Sequence, residues 1–237
     1  MQNLNERKEF DKIIENDSFF SHLSNEFKEN IKRKIHLRTY DKNQIIYFPK
    51  EKITHVYIVH KGKIRITRVS ENGKVVTFRH VITGDIFGDE ALLSKKQREE
   101  YAEAITKSEV WLMPLMEFLK GKEENHIFAK LYEKKLLERA KEYEETFADS
   151  VFYSAINRVA RKIIREIKRE INPTKKLVIT HQELANLLGI RRETITVCLK
   201  ILEKEGFIEK KKGSIIIKNQ INFENWIEKN NTIKGNH

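Results

Sequence analysis

The sequence predicts a chain of the α+β class, in which an antiparallel β-roll (a jelly roll) is followed by a long helix and then by a compact helical unit. Three observations predict this order. Short apolar runs separated by turn residues occupy about 39–114, a stretch with one glycine and no proline occupies 115–150, and two short helical patterns precede a β-hairpin pattern at about 179–217. Apolar residues recur every second position in strands and every third or fourth position in helices.

The composition indicates a folded protein with a polyanionic partner. Hydrophobic residues make up 39% and charged residues 34% of the 237 positions, which is typical of globular rather than disordered chains. Lysine and arginine outnumber aspartate and glutamate by 46 to 35, which gives a net charge of +11. Such an excess favours nucleic acid as the partner, ahead of an anionic membrane surface.

Cysteine usage and hydropathy indicate the compartment. Cys198 is the single cysteine, so an intrachain disulfide and an all-cysteine metal cluster within one chain are both excluded. Residues 1–7 are polar, and no apolar run approaches the roughly 20 residues that cross a bilayer. We therefore expect a cytoplasmic protein without a membrane partner.

The β-rich region contains a clear hairpin. Residues 63–69 alternate apolar and polar side chains, and 75–81 continue as a return strand. Between them the Asn-Gly dipeptide at 72–73 favours a type I′ turn, and Gly84 marks the next turn. Short strands with regularly spaced turns predict a jelly roll, and we assign 1–116 to this domain together with N-terminal helices.

One continuous helix is predicted over 117–150, within an assigned segment of 117–154. Its apolar positions step by four, three, four and four residues, which draws one narrow stripe along a charged helix. The stripe consists of Leu136, Ala140, Tyr143, Phe147 and Val151. A stripe this narrow is typical of a seam between two helices, so we expect a homodimer; packing against the chain's own sheet is the alternative.

The third segment, 155–237, begins with a basic helix and a loop at Pro173. The helix carries cations that we expect to contact phosphates. They are Arg158, Arg161, Lys162, Arg165, Lys168 and Arg169. Trp226, in the tail beyond Asn219, is a candidate docking anchor.

Two short helices separated by a tight turn follow. Thr180 and Glu183 have the spacing of a capping box, which begins the first helix, and Gly189 allows the turn. The second helix runs over about 191–204, and Gly206 ends it. Apolar residues define the two buried faces: Leu184, Ala185, Leu187 and Leu188 on the first helix, and Ile195, Cys198, Leu199 and Leu202 on the second.

The outer side of the second helix and the turn after it carry chemistry suited to DNA. Arg192 can pair bidentately with guanine, and Glu193 can accept a hydrogen bond from cytosine N4. A basic turn at 210–212 joins 207–209 to 214–217 in a predicted two-stranded wing that neutralises phosphates. An ordinary helical hairpin with solvated charges is the alternative, and it leaves the wing and the capping box unexplained. The pattern predicts a winged helix-turn-helix that binds double-stranded DNA.

Residues 179–217, with Gly-Ile-Arg-Arg-Glu-Thr at 189–194, closely resemble the helix-turn-helix of the CRP/FNR regulators, a family named for the cyclic-AMP receptor protein and its oxygen-sensing relative. The resemblance covers about residues 31–217. Upstream of the helix-turn-helix it rests on Gly62 and on the segments 72–73, 84–88 and 91–93. It implies a β-roll sensor domain, a dimerising helix and a DNA-binding domain that acts with RNA polymerase. We therefore expect a transcription regulator that binds an inverted-repeat operator as a homodimer, either gated by a small effector or constitutively active.

The resemblance also implies DNA contacts at matched positions, with Arg192 and Glu193 as the base-reading pair. The DNA-binding candidates are Thr180, His181, Gln182, Arg191, Arg192, Glu193, Thr194, Thr196, Val197, Lys200, Lys211 and Lys212. Two positions depart from the family pattern, because Arg191 replaces a serine and Val197 replaces a second base-reading arginine. A valine cannot donate to guanine but can pack on a thymine methyl group, so we expect a half-site that differs from that of the cyclic-AMP receptor protein.

The cyclic-nucleotide cassette of the family matches 88–99. In nucleotide binders a carboxylate holds the ribose hydroxyl and an arginine pairs with the phosphate; Asp89 and Arg98 stand at these positions. Glu99 and Glu100 add negative charge where the phosphate needs donors, at a cost on the order of 1 kcal/mol each in a partly dry pocket. We expect both glutamates to line the pocket and neutralise Arg98; the alternative is that Glu99 points outward and Arg98 alone suffices. The sequence thus argues against cyclic AMP and assigns no certain cofactor.

The long helix adds further effector candidates. Tyr143 and Glu144 stand where cyclic-AMP binders present a Thr-Ser pair, and Arg139 and Glu144 resemble a pair in two-oxoglutarate-sensing nitrogen regulators. The cassette arginine that those regulators need falls at Glu99. The effector-binding candidates are Gly88, Asp89, Arg98, Glu99, Arg139, Tyr143 and Glu144.

Two other functions compete with this prediction. A cyclic-AMP-responsive regulator is the alternative within the family, and a β-roll enzyme of the metal-cupin type is the alternative outside it. A cupin needs a His-x-His pair with a later Glu and His, and the histidines at 36, 55, 60 and 80 lack that spacing. Glycine loops for phosphate and Ser-His or Cys-His nucleophile arrangements are also missing. We therefore expect no catalytic residue and no metal site.

Overall fold

The computed structural model describes residues 13–17, 19–169 and 175–230, so the segment 1–7 and Pro173 lie outside the described residues. The chain divides into two compact units, Met1–Arg139 and Ala140–His237. Helices and antiparallel sheets make up both units, which confirms the α+β class. In the described ranges, every helix is too short or too polar to cross a membrane.

Two four-stranded antiparallel sheets form the predicted β-roll of the first unit. The strands are β1 (His36–Tyr40), β2 (Ile45–Tyr47), β3 (His55–Lys61), β4 (Lys63–Val69), β5 (Val75–Ile82), β6 (Ile86–Phe87), β7 (Tyr101–Ala104) and β8 (Ser108–Pro114). One sheet has the order β1-β8-β3-β6, and the other has the order β2-β7-β4-β5. Ile64 of one sheet and Val110 of the other are fully buried in a common core, because alternate side chains of each strand point inward.

The hairpin predicted at the Asn-Gly dipeptide is present, but its turn is of another type. β4 pairs with β5 along its length, and the Gly73 N–H donates to the Ser70 carbonyl at 2.9 Å. Gly73 has a φ of +75°, whereas Asn72 is not among the residues with positive φ. A type I′ turn needs positive φ at both central residues, so that expectation is wrong. Of the two residues in the dipeptide, the glycine alone takes the left-handed conformation.

The helix predicted over 117–150 is two helices. They are α2 (Leu115–Glu124) and α3 (His126–Phe152), and α1 (Asn25–Lys32) precedes the roll. Asn125 between α2 and α3 is extended, with φ of −121° and ψ of 103°, and its side-chain oxygen accepts the Phe128 N–H at 2.8 Å. Because an asparagine side chain competes with the helix for backbone groups and favours N-caps, the expectation of one continuous helix is wrong at this residue.

The apolar stripe on α3 is exposed in the single chain. Leu136, Tyr143, Phe147 and Val151 are 37%, 42%, 71% and 47% exposed, and Ala140 is exposed as well. Leu136, the stripe residue that belongs to the first unit, is not buried on the sheets of that unit. An exposed apolar surface of this kind is typical of sites of protein contact.

The second unit has the predicted two helices and wing, with one additional strand. Its elements are α4 (Ala155–Arg169), β9 (Lys176–Val178), α5 (His181–Leu188), α6 (Arg192–Lys204), β10 (Ile208–Lys211), β11 (Ser214–Ile217) and α7 (Gln220–Lys229). β10 and β11 pair as the predicted two-stranded wing, and β9 adds a third antiparallel strand that the sequence analysis did not predict. A strand of three residues is too short for hydrophobic periodicity to reveal.

The tail after the wing packs onto its own unit through α7. Phe223 and Ile227 are buried, and the Trp226 ring lies 5.2 Å from the Phe207 ring. Trp226 is therefore an anchor within the chain.

Acidic side chains of α3 neutralise much of the basic helix α4. Glu142 accepts hydrogen bonds from Arg169 at 2.9 Å, and its carboxylate lies 3.3 Å from the buried Lys162 amine. Asp149 forms an ion pair with Arg165. These cations are held by protein carboxylates, so the structure does not support the expectation that they contact phosphates.

Candidate nucleic-acid interface and sensor cassette

The turn between α5 and α6 forms as the sequence predicts. The Thr180 hydroxyl accepts the Glu183 N–H at 3.1 Å, and the Glu183 carboxylate accepts the Thr180 N–H at 2.7 Å, which confirms the capping box. Gly189 follows α5 with a φ of +64°, a left-handed conformation that favours glycine. The local sequence thus fixes where α6 begins.

Helix α6 has one buried and one exposed face. Its inner residues are buried as predicted: Ile195, Cys198, Leu199 and Leu202. Arg192, Glu193 and Lys200 are exposed on the outer side, and Val197 among them is 57% exposed. Arg191 is the N-cap residue and makes no side-chain cap hydrogen bond. Charged side chains therefore reach solvent at a helix N-terminus, whose dipole also attracts anions.

Thr196 links α6 to α5. Its hydroxyl donates to the Arg192 carbonyl at 3.0 Å and lies 3.0 Å from Nδ1 of His181. Because the hydroxyl proton is used on the carbonyl, the imidazole N–H donates to Thr196. Burial lowers the pKa of His181, and the Lys210 and Arg192 cations lower it further. Sequence reasoning proposed both residues as DNA contacts and missed this link.

A cleft of about 310 Å³ lies between the wing turn and the starts of α5 and α6. Predicted DNA-binding residues from three separate parts of the sequence line it: Thr180, His181, Gln182, Arg192, Lys211 and Lys212. Lys210 also lines the cleft. The other candidates lie on α6 or at its cap, outside this lining: Arg191, Glu193, Thr194, Thr196, Val197 and Lys200. A concave surface with several cations is suited to a phosphate backbone.

Glu203 holds the wing against α6. Its carboxylate accepts the Lys210 N–H at 2.9 Å and lies 2.8 Å from the Lys210 amine. These two interactions with Lys210 lower the pKa of the Glu203 carboxyl. The sequence analysis did not identify Glu203. The one signal for it in the sequence is that an acidic residue stands seven positions before Lys210 in the basic turn.

In the first unit, Arg98 is buried and bound by its own chain. Its guanidinium donates to the Gly88 carbonyl at 2.6 Å and to the His55 carbonyl at 2.5 Å, and it forms an ion pair with the Glu90 carboxylate at 2.7 Å. The guanidinium also lies 4.3 Å from the ring centre of Tyr47. Arg98 is 3% exposed.

Asp89 is engaged as completely as Arg98. Arg139 donates to both carboxylate oxygens at 3.1 Å, and the Tyr132 hydroxyl donates to Oδ2 at 2.6 Å. Burial acts to raise the pKa of Asp89, but Arg139 and Tyr132 outweigh this effect, so the pKa is lowered. The carboxylate thus stays charged in a site with little solvent.

Glu99 points outward instead of lining the pocket beside Arg98, so the expectation that it neutralises Arg98 is wrong; whether Arg98 alone suffices for a ligand stays a prediction. The Glu99 side chain is 44% exposed and pairs with Lys95 at 2.6 Å and with Arg68 at 2.8 Å. Glu100 pairs with Arg68 at 3.4 Å. Adjacent residues of an extended chain point to opposite sides, so the neighbour of an inward arginine faces outward. Arg98 does form an ion pair within the chain, but its carboxylate partner is Glu90 and not Glu99.

The remaining effector candidates divide between the two units. Gly88, Asp89 and Arg98 lie together with Arg139 in the first unit, whereas the exposed Tyr143 and Glu144 belong to the second. Among the residues that the structure describes, there is no group of three His, Cys, Asp or Glu residues that could hold a metal ion.

Two family models match the chain in the order of its units. The cyclic nucleotide-binding domain matches residues 37–125, and the Crp-like helix-turn-helix domain matches residues 157–221. The chain belongs to the CRP/FNR family. Its members are transcription regulators with a helix-turn-helix DNA-binding domain, so this chain is a transcription regulator, and the cupin-like enzyme is not supported.

Relatives of this family resemble the chain over most of its length. The cyclic AMP receptor protein of Thermus thermophilus is 26% identical over 181 residues, which are 76% of this chain and 83% of that protein. A CRP/FNR transcriptional regulator of known structure from the same organism is 28% identical, with a TM-score of 0.64 over 81% of this chain and 98% of its own. A regulator of the family from Eubacterium rectale has a TM-score of 0.68 at 23% identity, over 88% and 97% of the two chains.

Proposed function

We propose that this CRP/FNR regulator binds an inverted-repeat operator as a homodimer in the cytoplasm and acts there with RNA polymerase. In this proposal residues 1–116 sense, 117–154 dimerise and 155–237 bind DNA. The observation that carries it is the cleft at the start of α6, where Arg192 and the wing lysines converge from separate parts of the sequence. Such a surface holds a phosphate backbone while the exposed residues of α6 face the base edges.

The exposed stripe on α3 supports the homodimer. Its five apolar side chains recur at helical spacing, and each of them is exposed in the single chain. A second copy of the same helix offers an identical stripe, and burying the two together removes apolar surface from water. A two-fold axis then presents two α6 helices to successive major grooves about 34 Å apart.

Selection of binding sites from random duplex DNA tests the proposal. We expect the full-length chain to select an inverted repeat whose half-site centres lie about one helical turn apart. Phe147→Glu is expected to abolish dimerisation and high-affinity binding, whereas Lys141→Gln, which makes the same change of charge at an exposed position off the stripe, leaves both intact. Selection of a single half-site by a monomer contradicts the proposal. Transcription with purified RNA polymerase tests whether the regulator acts with that enzyme.

We also propose that cyclic AMP is not the effector. The two residues that match the nucleotide-binding positions, Asp89 and Arg98, both have strong partners within the chain, so they do not fit a nucleotide as they stand. Calorimetry with cyclic AMP and with two-oxoglutarate on the purified dimer is expected to give no binding heat. Micromolar binding of cyclic AMP that also tightens DNA binding overturns this proposal.

A further inference from the structure

We infer that the sensor cassette, the cyclic-nucleotide cassette at residues 88–99, supplies an internal carboxylate in place of a ligand anion. The Glu90 carboxylate occupies the position beside Arg98 that the anionic group of a ligand needs. The inference rests on the proposed function, since it concerns how that regulator is held without cyclic nucleotide. A ligand anion then reaches Arg98 only by displacing a side chain of the protein.

The geometry around Arg98 leaves its guanidinium with protein partners on several sides. Two backbone carbonyls, those of Gly88 and His55, accept its N–H groups, and the Glu90 carboxylate supplies the compensating charge. The Arg98 side chain is 1% exposed and that of Glu90 is 15% exposed, so the pair is largely removed from water. A charged hydrogen bond of this kind is strong because solvent screens it little.

Gly88 makes the close approach possible. A Cβ atom at this residue would lie 2.8 Å from the Arg98 Nη1 atom and 2.8 Å from the Tyr57 ring. Gly88 also has a φ of +73°, which side-chain-bearing residues rarely adopt. The glycine therefore serves the internal network of this chain.

Glu90 is placed for this role by the backbone that carries it. It begins the short 3₁₀ helix Glu90–Leu93, directly after Asp89. Asp89 is held from the other side by Arg139 and Tyr132, whose three hydrogen bonds use most of the acceptor capacity of its carboxylate. The carboxylates of Asp89 and Glu90 thus both have cations or donors of the chain itself as partners.

Displacing Glu90 is costly in two ways. The incoming anion must replace the 2.7 Å ion pair at Arg98, and the displaced carboxylate stays close to the new negative charge. A neutral side chain of the same shape removes both obstacles. Occupancy of the site by a phosphate group therefore depends on the charge of residue 90.

Glu90→Gln is the direct test, with Glu99→Gln as its matched control. Both variants lose one negative charge, but Glu99 is exposed and pairs with Arg68 and Lys95 instead of Arg98. The probes are inorganic phosphate and cyclic AMP, titrated by calorimetry into the full-length protein. We expect Glu90→Gln to bind at least one probe at least tenfold more tightly than the parent chain, and Glu99→Gln to match the parent.

Thermal melting in phosphate and in chloride at equal ionic strength provides a second readout. The melting temperature of Glu90→Gln is expected to rise more in phosphate than that of the parent. If Glu90→Gln does not fold, Glu90→Asp, which shortens the carboxylate, is expected to show the same trends with a smaller gain. The inference fails if the foldable variant binds the probes no better than the parent, or if the parent itself binds cyclic AMP at micromolar concentration.

DNA titrations of the same proteins separate this inference from the proposed function. If the parent chain binds an inverted repeat but Glu90→Gln gains no anion affinity, the sensor inference alone is wrong. If the parent binds no specific DNA while Glu90→Gln gains phosphate affinity, the inference stands and the proposed function is wrong.

Discussion

The cassette at 88–99 and the start of α6 both place arginine beside glutamate, but the pair is largely buried in the first and exposed in the second. In the cassette, Arg98 and Glu90 bind each other away from water. At the start of α6, the neighbouring Arg192 and Glu193 are both exposed. The comparison shows that burial, more than residue type, decides whether a cation serves the fold or a partner. An exposed guanidinium remains available for a base or phosphate, whereas a buried one is committed to its carboxylate.

The largest expected effect is on stability, and it comes from removing Arg98, the buried arginine of the two. Arg98→Ala leaves the largely buried Glu90 carboxylate without its counter-charge, so the free energy of unfolding should fall by roughly 3–5 kcal/mol. Arg68→Ala, which removes an exposed partner of Glu99, should cost less than about 1 kcal/mol. Urea denaturation measures both values. Equal losses would show that burial does not distinguish these arginines.

Removing Arg192, the exposed arginine, should affect DNA binding rather than folding. Arg192→Ala is expected to weaken operator binding by roughly 1–3 kcal/mol and to relax the base preference at one position of each half-site. Lys211→Ala should weaken all sequences about equally, because we propose that Lys211 contacts phosphate. Fluorescence anisotropy with the selected operator and its single-base variants measures both effects. A parallel loss on every sequence for both variants would make Arg192 a phosphate contact.

A change of pH should act on the sensor unit through Asp89. Its pKa is lowered in the folded chain, so its contribution to stability is present above the unfolded pKa of about 3.9 and is lost as the pH falls through the folded value. We expect stability to decrease below about pH 4, with a shallower decrease for Asp89→Asn. Urea midpoints between roughly pH 3 and pH 7 measure this. If the decrease of stability with pH is as steep in Asp89→Asn as in the parent chain, other carboxyl groups dominate the pH dependence.

The smallest expected effect concerns Val197. If its exposed side chain packs on a thymine methyl group, replacing that thymine by uracil in the selected operator should cost about 0.8 kcal/mol, the value of one buried methylene-sized group. Val197→Ala should bind the two duplexes nearly equally. Equal binding of both duplexes by the parent chain would remove Val197 from the base-reading surface.

The sequence predicts the DNA-binding unit well because its signals are local. The capping box at Thr180, the turn at Gly189 and the buried face of α6 each depend on residues within a few positions of one another. The same reasoning fails at Asn125, where one polar side chain outweighs a continuous helical pattern.

The cassette was less predictable because its partners are distant in sequence. Arg98 meets the carbonyl of His55, and Asp89 meets Arg139, across 43 and 50 positions respectively. Spacing along the chain identified Arg98 and Asp89 as important but could not choose Glu90 over Glu99 as the partner. That choice depends on which way each side chain faces after the strands have paired.

The carboxylates of α3 that hold the basic helix α4 bear on how this protein responds to salt. Lys162, Arg165 and Arg169 already have Glu142 or Asp149 as neighbours, so they hold few mobile anions that DNA could release. The dependence of affinity on ionic strength follows the number of ions set free, not the total charge of the chain. The net charge of +11 therefore overstates the electrolyte sensitivity of this regulator, which we expect to be set by the wing turn and the first turn of α6.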